Sequence, residues 1–337
     1  MALLFVDGMQ HYATNDIEKK WDVAYSVNIN NENPRRPGGK HLRIVWPNAY
    51  VTKYFLSVKT GITLGFAIKV THYGTDGDQL IKLVRLGDTQ CSVSILADGS
   101  ITVRRGDDIA TLGTSAIGIV PLNAWFYLEF KVYIHAEYGL FDVRINETSV
   151  VSGSGVNTRG AVGMGADSVR ILADAVVGIT DICDLYIDDG PDFLGDCRID
   201  CIWPNGVGDH TMWDAVPSGD NWGNAHDDSN IDDDATYNKT GIVNDIDTYE
   251  FEDIAEIAGT IIKAIVLDLC IRKDDAGMRK YKSVCRMTAT DYLGDERDFW
   301  DSYKVHQTIW ENPPNNPSNP WTKADVDAAE FGIKLTV

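Results

Sequence analysis

The sequence predicts an all-β protein built from two β-sandwich domains in tandem. Three observations carry this. Apolar and polar residues alternate with period two through run after run of β-branched and aromatic residues, such as "ITLGFAIKV" and "LIKLVRL". The runs are bounded by Gly, Asp and Asn. Residues 1–190 hold no helical period sustained over three turns, and many short antiparallel strands at this spacing imply sheets packed face to face.

In chain order, "HLRIVW", "YFLSVK", "ITLGFAIKV" and "LIKLVRL" are the first strands. "CSVSIL" and "ITVRR" flank "ADGS", whose Asp-Gly pair marks a hairpin turn. "WFYLEFKVYI" and "YGLFDVRI" form a second pair joined through "HAEYG", with Trp125 and Tyr127 opening the first strand. In "DICDLYIDD", alternation sets Ile182, Asp184, Tyr186 and Asp188 on a wet face and Cys183, Leu185 and Ile187 on a core face. "DDGPD" then supplies turn residues and "RIDCIW" resumes an extended run. This acid-rich stretch is thus a seam between domains, with domains at 1–190 and 206–337 and a connecting segment at 191–205.

Beyond the seam, "DTYEFEDI", "IIKAIVLDLCIRKDD", "MRKYKSVCRMTATDY" and "SYKVHQTIWE" are further strands, the middle two joined through "KDDAGM" as a hairpin. The one good helix start is "PWTKADVDAAEFG", with Thr322 as N-cap, Asp325 completing a capping box and Gly332 near the stop. "ENPPNNPSNP" is a rigid surface loop.

Several of these segments together resemble a known family. "FVDGMQHY", "WFYLEFKVYI…YGLFDVRINETSVV" and "GITDICDLYIDD" resemble the concanavalin A-like (LamG-type) jelly roll in the version found in phage virion proteins. There a Trp-led strand pairs with a following strand and a closing strand ends in Asp-Asp. The resemblance runs on through "PDFLGDCRIDCIWPNG", "TYEFED", "IRKDDAG" and "WTKADVDAAEFGIKLTV". It implies two jelly-roll-like sandwiches, the first concanavalin A-like. The function it implies is that of a noncatalytic structural component of a bacteriophage virion: a fibre, tail-associated or decoration protein. Such a protein is synthesised in host cytoplasm, acts as a homo-oligomer beside other virion proteins, and has host-surface carbohydrate as a candidate ligand. The alternative is a carbohydrate-binding or polysaccharide-degrading host-recognition protein.

Composition narrows the classes. The net charge of −20 is uneven: residues 1–190 carry 21 acids against 17 bases, and residues 191–337 carry 29 against 13. The second half would be repelled by phosphate backbones, which disfavours nucleic acid as a partner. No apolar run reaches the ~18–20 residues of a bilayer span, so no membrane insertion is expected. The opening "MALLFVDGMQHY" is interrupted by Asp7 too early for a secretory leader. Of six cysteines, Cys197 and Cys201 lie ~13 Å apart if extended, beyond disulfide reach, and lack the partners of a zinc site.

Candidate chemistry is sparse. A retaining glycosidase needs two carboxylates ~5 Å apart. "EFEDIAE" offers Glu250, Glu252, Asp253 and Glu256 at unsuitable spacing, and the Trp125 strand offers Glu129 without a partner at i+2. Both are expected to be solvated strand faces, so no catalytic residue is assigned. "HDDSNIDDDATY" supplies candidate calcium ligands in Asp227, Asp228, Asp232, Asp233 and Asp234, since carboxylates this dense can gather the oxygens calcium prefers. Tested as an EF-hand from Asp228, it fails at position six (Asp233) and position twelve (Lys239), so no cofactor is assigned. "RRPGGKHLR" lacks phosphate-loop spacing and reads as a turn, with Arg35 and Arg36 as candidate contacts to an acidic partner. Trp213 and Trp222 sit in the loop-rich "MWDAVPSGDNWGN", where indoles can stack on sugar rings or anchor a protein.

Overall fold

The alternation read from the sequence builds the sheets of the computed structural model, which describes residues 3–45, 48–73, 79–173, 179–228, 230–255 and 259–337. The fold is all-β, as expected. The chain divides into two units, Met1–Asp200 and Cys201–Val337.

Unit one is a sandwich of two antiparallel sheets. The first runs Thr148–Val156, Gly139–Ile145, Phe126–Tyr133, Gly61–Val70, Thr180–Asp188, His41–Ile44, Val27–Asn30, with Leu3–Asp7 also paired to Thr180–Asp188. The second runs Ala110–Thr114, Ile101–Arg105, Asp88–Ile95, Ile81–Arg85, Ala166–Ala173, Ala49–Lys59, Val23–Tyr25. Leu64, Phe66, Phe130, Val143 and Ile182 from the first sheet and Val51, Leu83, Val93, Val103 and Ile171 from the second are fully buried. Each such side chain contributes about 1.5–3 kcal/mol of hydrophobic stabilisation. The Asp-Gly hairpin forms where the sequence places it: Leu96 N–H donates to Ser100 O at 2.9 Å, and Gly99 takes φ 74°, which glycine adopts without penalty.

Unit two is built on a six-stranded sheet ordered Pro204–Thr211, Ile246–Phe251, Glu330–Leu335, Lys280–Met287, Thr290–Leu293, with Arg297–Asp298 paired to Lys280–Met287. Its core gathers Leu267, Cys285, Met287, Trp321, Val326, Ala329 and Phe331. The capping box holds: Thr322 Oγ1 accepts from Asp325 N–H and Asp325 accepts from Thr322 N–H, opening the short helix Lys323–Asp327.

Two expectations are corrected here. "KDDAGM" does not close a hairpin: Ile265–Ile271 pairs with Lys304–Trp310, while Lys280–Met287 pairs with Glu330–Leu335 and Thr290–Leu293. The loop instead carries the chain from a two-stranded ribbon to the main sheet, and partners 33 or more residues away, Lys304–Trp310 and Glu330–Leu335, take the edges that a local hairpin would have used. Gly332 does not stop the helix, which ends at Asp327; it lies within Glu330–Leu335, where a Cβ would stand 1.9 Å from Asp247 O. The glycine serves close strand approach.

Candidate functional site: an aromatic cavity in unit two

The acidic seam is the first candidate to resolve. All nine residues of Thr180–Asp188 are buried, so the expected wet face carrying Asp184, Tyr186 and Asp188 is corrected. The register shifts between Cys183 and Tyr186, with Asp184 at φ 53°. This bulge re-phases the alternation. Asp181, Cys183, Tyr186 and Asp188 pair with Lys69, Ala67, Gly65 and Thr63, while Ile182 and Ile187 pair with Ile68 and Leu64.

The buried carboxylates are matched by cations. Asp181 receives Arg43 Nε at 2.8 Å, Lys69 Nζ at 3.0 Å and His41 Nε2 at 3.3 Å. Burial opposes its charge, yet His41, Arg43 and Lys69 outweigh burial and hold its carboxyl well below the usual range. Asp184 accepts from Arg35 Nη1 at 2.7 Å, from Arg36 at 2.6 and 2.7 Å, and from Ile199 N–H at 3.0 Å. Arg35 also pairs with Asp196. Both candidate contact arginines are thus engaged within unit one.

Glu129 is likewise corrected from a solvated position: it is 1% exposed, and its Oε1 accepts from Tyr186 Oη at 2.6 Å and Gly195 N–H at 2.9 Å. Burial raises its pKa, and the Tyr186 and Gly195 hydrogen bonds offset part of that rise. Residues 190–199 form the cover. Gly190 O accepts from Thr63 Oγ1 at 3.2 Å, Pro191 O accepts from Lys131 Nζ at 3.1 Å, and Phe193 meets Arg144 at 3.9 Å and Lys131 at 4.6 Å. This polar sheet face is occupied by the chain itself.

Three carboxylates of the acidic loop go to separate partners, while Asp227 and Asp233 are tied through their backbone carbonyls. Asp228 meets His226 Nε2 at 2.9 Å, Asp232 accepts from Thr236 Oγ1 at 2.8 Å, and Asp234 pairs with Arg272 at 2.7 Å. Asp233 O accepts from Tyr303 Oη at 3.2 Å and Asp227 O from Asn230 N–H at 3.0 Å. Among the described residues, no group of three or more His, Cys, Asp or Glu is placed to hold a metal ion. In "EFEDIAE", Glu250 is exposed and Glu252 Oε2 accepts from Trp203 N–H at 3.3 Å, while Glu256 lies outside the described residues.

Trp213 and Trp222 do come together. They line a cavity of about 230 Å³ with Val207, Thr211, Gly219, Asp220, Asn221, Thr248 and Tyr249. Sequence reasoning found the indoles and missed what holds them. Asn221 Nδ2 donates to Trp213 O and to Asp247 Oδ2, both at 2.8 Å. Tyr249 Oη donates to the same Asp247 oxygen at 2.8 Å and accepts from Asn238 Nδ2 at 2.9 Å. Asn238 Nδ2 also donates to Asn221 O at 2.7 Å. Asn224 Nδ2 donates to Val216 O at 3.0 Å and Tyr237 O at 3.1 Å, tying the one-turn helix Asn221–Asn224 across the paired strands Asp214–Val216 and Tyr237–Lys239.

Asp247 anchors this network from full burial. Burial drives its pKa up to about 6, against the hydrogen bonds from Tyr249 and Asn221. Tyr249 is raised well above its usual value, first by burial and then by Asp247. The only sequence signal for this anchor was Asp247 and Tyr249 at i and i+2, which share a strand face. Their asparagine partners come from a one-turn helix and a three-residue strand, too short to show a period.

Fold and cavity together define an all-β protein whose second unit holds a rigidly framed pocket with two indoles and a polar wall. No family model matches the chain, and no curated protein matches it. Among solved structures it is similar to the cellulose-induced protein Cip1, at 13% identity over 51% of this chain and 93% of the other, TM-score 0.40. It is similar to alginate lyase Aly36B at 10% identity over 55% and 96%, TM-score 0.37, and to Caenorhabditis elegans galectin LEC-6 at 13% over 43% and 95%, TM-score 0.31. Likenesses at this level bear on neither activity nor ligand.

Proposed function

We propose that the chain is a noncatalytic carbohydrate-binding protein, with the Trp213–Trp222 cavity as its glycan contact. The observation that carries this reading is the pairing of two indoles with side-chain amide and hydroxyl groups around one small cavity. Indoles offer flat apolar area to the C–H face of a pyranose, and Thr211 and the Asn221 amide oxygen are the polar side-chain groups of the wall for its hydroxyls, since Thr248 Oγ1 is taken by Glu330 and His210. The volume of about 230 Å³ suits one sugar ring and falls below the ~300–1,000 Å³ of drug-sized sites. The Asn221–Asp247–Tyr249–Asn238 network fixes the wall before any ligand arrives, which lowers the entropy cost of binding.

The noncatalytic part of the proposal rests on the carboxylates. Glycoside hydrolysis requires a flanking pair. Among the described residues the cavity wall holds one carboxylate, Asp220, while Asp247 is buried behind Tyr249 and Asn221. The resemblance to phage jelly rolls adds a location, so the proposal places the protein on a bacteriophage particle as a fibre, tail-associated or decoration component.

Calorimetric titration against a panel of mono- and oligosaccharides tests the reading. Wild type is expected to bind at least one sugar, and Trp213→Ala and Trp222→Ala to weaken it at least about tenfold, as truncated aromatic anchors do. Absence of binding across the panel removes the carbohydrate reading. Release of reducing ends by the pure protein removes the noncatalytic one. Mass spectrometry of purified particles tests the location.

A further inference from the structure

We infer that the Trp213–Trp222 cavity selects an unacetylated amino sugar, a pyranose carrying an ammonium group, over neutral and anionic sugars. This rests on the carbohydrate reading above and names its ligand class. The argument is one of charge. Of the nine residues that line the cavity, none is Lys, Arg or His, and one, Asp220, carries a carboxylate. Asp220 is exposed, and no cation is paired with it among the described residues. Carboxylates elsewhere do have such partners: Asp184 has Arg35 and Arg36, and Asp234 has Arg272.

A uronate or sulfated sugar entering this cavity would meet Asp220 with no cation to offset the repulsion. It would also approach through the field of residues 191–337, where 29 acids face 13 bases. An ammonium reverses both terms. It can donate a charge-assisted hydrogen bond to Asp220, and an indole beside it adds cation–π attraction. The second contribution needs aromatic rings and an acid in one wall, which is the arrangement Trp213, Trp222 and Asp220 provide.

The test compares glucosamine oligomers, their N-acetylated counterparts and oligogalacturonate at pH 6, by titration calorimetry on the full chain. The glucosamine oligomer is expected to bind about fivefold tighter than the acetylated one, the scale of one exposed ion pair plus one exposed cation–π contact. Asp220→Asn, which removes the charge at nearly constant size and keeps a residue suited to the start of the helix Asn221–Asn224, is expected to bring that ratio within about twofold, chiefly by weakening the glucosamine oligomer. Trp222→Ala is expected to weaken both sugars. Equal affinities in wild type, a preference that survives Asp220→Asn, or tightest binding of oligogalacturonate each overturns the inference while leaving the carbohydrate reading intact. A free lysine side chain in a blocked dipeptide that outcompetes the glucosamine oligomer reassigns the ammonium to protein and also overturns it. Failure of all sugars to bind removes the underlying reading instead.

Discussion

Asp184→Asn tests whether a buried ion cluster holds residues 190–199 against the sheet. The Asp184 carboxylate is fully buried, whereas the side chains of Arg35 and Arg36 are 19% and 27% exposed. Removing one partner of a fully buried pair costs about 3–5 kcal/mol because the remaining charge stays dehydrated. Here two guanidiniums can recover part of their hydration, and asparagine retains hydrogen-bonding capacity, so about 2–3 kcal/mol is expected. Asparagine also tolerates the φ of 53° at this position, which separates charge from backbone strain; alanine would add about 1–2 kcal/mol of left-handed penalty. The informative probes are the amides of Gly195 and Asp196, which donate to Glu129 and Glu147 and not to Asp184. Hydrogen exchange at both should speed up about 30- to 150-fold, the equivalent of that free energy at 1.36 kcal/mol per decade. Unchanged protection at Gly195 and Asp196 in the asparagine variant would refute the idea that Asp184 anchors this segment.

Four further outcomes are expected. Between pH 4 and 6 stability should fall as pH rises, because Asp247 holds its proton up to about 6 in the folded chain and releases it near 3.8 when unfolded. The effect is on the order of 1–3 kcal/mol, and urea midpoints across that range should flatten in Asp247→Asn. Gly332→Ala should cost more than about 3 kcal/mol or abolish folding, since its Cβ meets backbone at 1.9 Å. Gly223→Ala, with nothing within 4 Å, should be neutral or stabilising by up to about 1 kcal/mol; thermal unfolding compares the two. Thr322→Ala should remove about 1 kcal/mol by freeing the Asp325 amide at the helix start, read from the same melts.

Much of the fold was legible in the chain because strand alternation, Asp-Gly turns and capping boxes are encoded within a few residues. "CSVSILADGSITVRR" became a hairpin and "TKAD" a capped helix start, each through contacts no more than 14 residues apart. The same local rule failed at "DICDLYIDD", where the bulge at Asp184 re-phased the faces and cover from residues 35, 36 and 190–199 buried the side expected to be wet. Half the candidate site was likewise visible: two indoles in a loop-rich stretch are conspicuous, whereas Asn221, Asn238, Asp247 and Tyr249 have no common spacing. The chain by itself determined which segments extend, where they turn and how charge divides between its halves. Tertiary structure decided which strands pair, which carboxylates are dry and which loops enclose a cavity. Period two reports only that neighbouring residues point opposite ways; whether each side meets water depends on residues brought back from as far as 149 positions away.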